Sequence, residues 1–185
     1  MTCLVGLKDE NKVYIAADTE SFSDGLVSER PGGKIFVNGP YTMAVSGSTR
    51  ISEILRWADL PAPDMGPLNG TQEGLGPREF MFSVFVPAVK KALREGGSLR
   101  TKDGEDEANV SVLVAWGSNL FHLWSDFYCK PVEDYTACGS GREVAFGSLY
   151  TSAGMAAEYR VHVAVKAAIK HCASVGGGVD WLLVN

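Results

Sequence analysis

Thr2-Cys3-Leu4-Val5-Gly6-Leu7, followed by Val13-Tyr14-Ile15-Ala16-Ala17-Asp18, is the stretch whose reading decides the fold. The two apolar runs flank the turn-forming Asp9-Glu10-Asn11, so they read as a β-hairpin that begins almost at the first residue. Chain termini usually fray. A chain that starts inside a strand has its terminus held in one place.

Beyond Asp18, the polar segment with Ser21, Ser23, Asp24 and Gly25 predicts a loop, and Pro31-Gly32-Gly33 a second break. Lys34–Val37 and Tyr41–Val45 predict a strand pair turned by Asn38-Gly39-Pro40. Ser46-Gly47-Ser48-Thr49 leads into a helix to about Leu60, with Ile51, Ile54, Leu55 and Ala58 at helical spacing and Ser48 or Thr49 as N-cap. Pro61–Pro77 is rich in Pro and Gly and predicts a long loop. Glu79–Arg94 predicts a helix bent at Pro87, and Gly96–Glu107 an exposed hairpin or loop. Val110–Trp116, Leu120–Trp124 and Tyr135–Cys138 read as strands. Gly139-Ser140-Gly141 opens a helix to about Ser152, and Ala156–Cys172 follows as a helix with Val161, Ala164, Val165 and Ala168 on one face. Val179–Val184 is a last strand after Gly176-Gly177-Gly178. This order implies an α+β arrangement, two sheets with helices outside each, in one domain over 1–185.

Composition narrows the function classes. The chain has 185 residues, 45% hydrophobic, with Lys+Arg 17 against Asp+Glu 22 and a net charge of -5. That balance gives no global attraction to nucleic acid or anionic membranes. No run is apolar and long enough to span a bilayer. Cys3, Cys129, Cys138 and Cys172 form no C-x-x-C pair and imply reduced thiols. The start lacks a basic region followed by a long apolar run, so a cytoplasmic protein is expected. His122, His162 and His171 offer no Ser-His-Asp pattern and are expected to be structural.

A Thr at the second position means little alone. Its company is more specific: Val13-Tyr14-Ile15-Ala16-Ala17-Asp18-Thr19, Gly33-Lys34-Ile35, Ala44-Val45-Ser46-Gly47-Ser48 and Ala137-Cys138-Gly139-Ser140-Gly141. This ordered set resembles the proteasome β-subunit and HslV peptidases, which are N-terminal-nucleophile (Ntn) hydrolases, over nearly the whole chain. Within that family, the acidic balance and the Pro61–Pro77 loop resemble the small betaproteobacterial proteasome homologues, and a phage-borne HslV-like subunit would read similarly. The resemblance implies a four-layer αββα sandwich and a threonine-type endopeptidase that uses no cofactor or metal. Thr2 would be the nucleophile once Met1 is removed, with its freed α-amine as base. Lys34 would assist Thr2 Oγ, Asp18 would hold Lys34, Ser46 and Gly47 would carry the oxyanion-binding backbone, and Ser140 would position the amine. Glu20, Ser21, Gly32 and Ala44 would lie at the substrate groove. Many family members carry Arg where this chain has Glu20. They also carry Asp where it has Cys172, with Ser174 one position from a second supporting serine. The family further implies a homo-oligomeric double ring of about six or seven subunits per ring. Peptide or unfolded protein would be the substrate, an AAA+ unfoldase a partner. Two alternatives stay open: an inactive scaffold ring, and an Ntn amidase acting on small amides.

Overall fold

The computed structural model describes residues 2–23, 26–29, 32–63 and 75–184. The N-terminal hairpin forms as expected, from β1 (Cys3–Asp9) and β2 (Lys12–Asp18). It is the centre of a four-stranded antiparallel sheet flanked by β12 (Tyr135–Gly139) and β13 (Val179–Val184). A second sheet runs β11 (Cys129–Pro131), β10 (Asn119–Leu123), β9 (Val110–Trp116), β6 (Tyr41–Gly47), β5 (Ile35–Asn38).

Among the described residues, three separate apolar cores show how these layers stack. Cys3, Val5, Leu7 and Ala16 face α4 (Arg142–Thr151) and α5 (Ala157–His171), which bury Ala145, Leu149, Val161 and Ala168 against them. The alternate residues Leu4, Val13, Ile15 and Ala17 face the second sheet, meeting Ala44, Leu113, Ala115 and Leu120. That sheet's other face, with Met43, Val45, Val112 and Val114, packs on Ile51 and Leu55 of α1 (Thr49–Trp57) and Val89 and Leu93 of α3 (Val86–Glu95). The layers are therefore helix, sheet, sheet, helix. Strands buried on both faces explain why they read as continuous apolar runs and not as alternating ones.

Several local expectations are corrected. The polar segment after Asp18 is a hairpin, β3 (Glu20–Ser23) with β4 (Leu26–Glu29), because ladder hydrogen bonds need no apolar side chain. Ser48 sits at the N-cap of α1 but makes no side-chain cap bond. The three-residue β11 was not foreseen; it is too short to carry a period. Of the Pro61–Pro77 loop, 64–74 lie outside the described residues. The bend near Pro87 takes a definite form. α2 (Pro77–Phe80) passes into a π-helical turn (Met81–Phe85) and then into α3. Val86 N–H bonds Met81 O, which widens the turn just ahead of a proline that has no N–H to give. β7 (Arg100–Lys102) and β8 (Glu105–Glu107) form the exposed hairpin, turned by Asp103-Gly104 with φ of 52° and 86°.

His122 ties the two sheets. Its Nε2 is 2.7 Å from Ser111 Oγ and its Nδ1 is 3.3 Å from Thr136 Oγ1 on the first sheet. Burial, and then the Lys130 charge, push its pKa down to about 4. That lies below the unfolded value of about 6.5. The stability it contributes is therefore complete above pH of about 6.5 and is lost as pH falls toward about 4, a span worth about 3 kcal/mol. Urea unfolding should show the advantage of the wild type over His122→Gln shrinking by about that amount between about pH 7.5 and about pH 4.5. An equal advantage at both would overturn the assignment.

Candidate active site

The Gly139-Ser140-Gly141 turn joins β12 to α4 and wraps the backbone of Thr2, which is only 6% exposed. Thr2 N–H donates to Ser140 Oγ (3.2 Å), while Thr2 O accepts from Ser140 Oγ (3.3 Å) and from Gly141 N–H (3.2 Å). Both glycines are forced. At Gly139 φ is +87° and a Cβ would lie 2.2 Å from Thr2 O. At Gly141 a Cβ would lie 2.8 Å from Cys3 Cβ and 2.9 Å from that of Ala168 on α5. Gly139→Ala should therefore cost at least about 2 kcal/mol by chemical denaturation, or shift the Thr2 backbone. A variant of wild-type stability would show that the turn and terminus are not locked together.

Asp18 ends β2 and its carboxylate is buried. Oδ1 accepts from Cys3 N–H (2.8 Å) and from Lys34 Nζ (2.7 Å), and Oδ2 accepts from Gly176 N–H (3.3 Å). The ammonium thus shares one oxygen with the amide that follows Thr2, which brings it beside that residue. Lys34 is 2% exposed, and its carbonyl accepts Val45 N–H (3.1 Å). The loop before it is stapled from α1: Arg56 donates to Gly32 O (2.8 Å) and Gly33 O (3.2 Å) while its guanidinium lies 4.4 Å over the Phe36 ring.

Ser46 and Gly47 end β6. Gly47 has φ of +110°, and a Cβ there would lie 2.3 Å from Asn109 O. Ser46 Oγ comes within 3.1 Å of where a Gly139 Cβ would be, so this strand end and the Gly-Ser-Gly turn meet. Thr2, Asp18, Lys34, Ser46 and Ser140 are thus gathered from five separate stretches. Glu20 lies close by: its carboxylate covers Gly176, where a Cβ would be 2.2 Å from Oε2. Ser21 pairs with Ser28 in β3–β4. Gly32 is exposed, with φ of +74°. Ala44, expected at the groove, is instead fully buried in the inter-sheet core, opposite Ile35 and Leu113, where no substrate group reaches its side chain.

Cys172 packs partly buried against the helix-side core. Ser174 Oγ donates to Ser140 Oγ (3.0 Å), so a hydroxyl supports Ser140. Gly176 and Arg56 went unrecognised in the sequence. The glycine run before the last strand was a signal for the first. Nothing local marked the second. Cys3, next to Thr2, has its thiol pushed up to about 12 by burial and then by Asp18, so it stays protonated. Among the described residues no three His, Cys, Asp or Glu side chains converge to hold a metal.

No family model matches the sequence, and no curated protein matches it. Solved structures do. BPH from Thiobacillus denitrificans in complex with epoxomicin is 20% identical with a TM-score of 0.76, over 99% of this chain and 98% of that one. A second structure of the same BPH is 21% identical with a TM-score of 0.77, over 99% and 97%. Eukaryotic HslV from Trypanosoma brucei is 15% identical with a TM-score of 0.65, over 100% and 99%. The chain has the α+β, four-layer Ntn-hydrolase fold of the proteasome and HslV type.

Proposed function

We propose that the chain is a threonine-type endopeptidase subunit of a self-compartmentalising ring protease, with Thr2 as nucleophile after removal of Met1. The observation that carries this reading is that Ser140 holds the Thr2 backbone while the buried Asp18–Lys34 pair holds the next amide, that of Cys3. The freed α-amine, with an ordinary pKa of about 8, takes the proton from Thr2 Oγ. Lys34 favours the developing alkoxide, and Asp18 keeps that lysine aimed. Oγ bonds to the scissile carbonyl carbon, and the oxyanion receives the Gly47 N–H. Collapse breaks the C–N bond, with the amine proton passing to the leaving nitrogen, and leaves an ester on Thr2. Water, deprotonated by the same amine, then releases the acid. Ser140, supported by Ser174, orients the amine. Glu20, Ser21 and Gly32 shape the groove, and Glu20 disfavours acidic substrate residues.

Assembly into a homo-oligomeric double ring, of roughly twelve to fourteen chains, belongs to this reading. Trp57, Phe82 and Tyr150 are each more than 70% exposed, which suits burial between copies. The expected location is cytoplasmic, and an AAA+ unfoldase is the expected partner. BPH was solved with epoxomicin, a peptide epoxyketone, which points to the test. That reagent closes a ring on both a nucleophilic Oγ and a free α-amine. Intact mass should lack Met1 and gain one adduct per chain. Loss of Met1 without an adduct would sink the peptidase mechanism in favour of a scaffold ring or an amidase.

A further inference from the structure

At one end of the sandwich the space between the sheets turns polar. Leu113, Leu120 and Cys138 line the inter-sheet core. Two residues on, the same faces carry Ser111, His122 and Thr136, joined by the His122 hydrogen bonds. Trp124 follows on the same face, its ring 5.3 Å from that of His122. Lys130 on β11 is the direct cross-strand partner of His122. These residues, with Arg142 and Phe146 one turn apart on α4, enclose a cavity of about 500 Å³.

Ser111, His122 and Thr136 satisfy one another by hydrogen bonds, so the polar floor is stable by itself and the charged and aromatic residues around it set what the cavity takes. The chemistry here is one-sided. Both charged residues in the lining, Lys130 and Arg142, are basic, in a chain with more acidic than basic residues. Arg142 already donates to Gly139 O (3.3 Å) and meets Glu143 (3.2 Å), which leaves Lys130 as the principal charge. Trp124 and Phe146 offer exposed aromatic surface. The cavity also adjoins the candidate active site: Gly139 lines it, and Ser111 and Val110 oppose Ser46 and Gly47 across β9–β6.

We propose that this cavity binds a carboxylate borne on an apolar group, with the charge on Lys130 and the apolar part against Trp124 and Phe146. Such a group is the C-terminal end of a peptide or a free small acid. The test is titration of the full-length protein, followed by tryptophan fluorescence and calorimetry. The probes are 3-phenylpropionate and its amide, and a short peptide ending in Phe as free acid and as amide. An acid should saturate, and its amide should bind about tenfold more weakly. Lys130→Gln and Phe146→Ala, both at exposed positions, should each weaken the acid by about tenfold. Saturation by the peptide acid alone identifies a peptide end as occupant; saturation by 3-phenylpropionate identifies a free acid. Equal binding of acid and amide, affinity unchanged in both variants, or no saturation by either acid overturns the proposal.

Discussion

Thr2→Ala is expected to lower peptide hydrolysis by about 10⁴-fold or more and to abolish the epoxyketone adduct. The substitution removes only Oγ and one methyl group. The bonds that hold residue 2 run through its backbone, to Ser140 and Gly141, so the fold should be unchanged within about 0.5 kcal/mol. Thr2→Ser keeps a hydroxyl and should keep part of the activity. Hydrolysis of a fluorogenic peptide, with intact mass as a second readout, separates the outcomes. Activity persisting in Thr2→Ala would move the nucleophile elsewhere, with Ser46, Ser140 and Ser174 as the other hydroxyls of the site.

The second large effect is expected at the buried ion pair. Asp18 and Lys34 side chains are 0% and 2% exposed, with Nζ and Oδ1 2.7 Å apart. Breaking such a pair from one side strands the other charge and costs about 3–5 kcal/mol. Asp18→Asn should therefore lower the melting temperature by roughly 10 °C or more. Lys34→Met should cost less, because the Asp18 carboxylate keeps the Cys3 and Gly176 N–H donors. The double variant keeps an acceptor for those amides and strands no charge, so it should return to within about 1 kcal/mol of wild type. All three should lose peptidase activity. A stable, fully active double variant would remove the pair from the chemistry and leave it a structural role only.

Legibility differed by residue. β1, β2, β6 and β9 carry apolar runs buried on both faces, so they stood out. Polar β3–β4 and three-residue β11 did not, because their pairing rests on backbone hydrogen bonds that side-chain pattern does not encode. Thr2, Asp18, Lys34 and Ser140 were legible only as an ordered set. The contact of Ser174 with Ser140 and of Gly176 with Asp18 depends on how the chain leaves α5 toward β13, which no local spacing gives.

The sequence by itself determined the layers. Apolar periodicity and glycine breaks fix the long buried strands β1, β2, β6 and β9 and the helices packed on them, and the faces these bury. Only the tertiary structure decided the site. Asp18 and Lys34 are 16 residues apart, and Thr2 and Ser140 are 138 apart. Their meeting is set by the register of β1 between β12 and β2, by the left-handed turn at Gly139 that presses on Thr2, and by the Arg56 staple on the loop before Lys34. Periodicity is a local property of the chain. Register and close approach are properties of what packs against it.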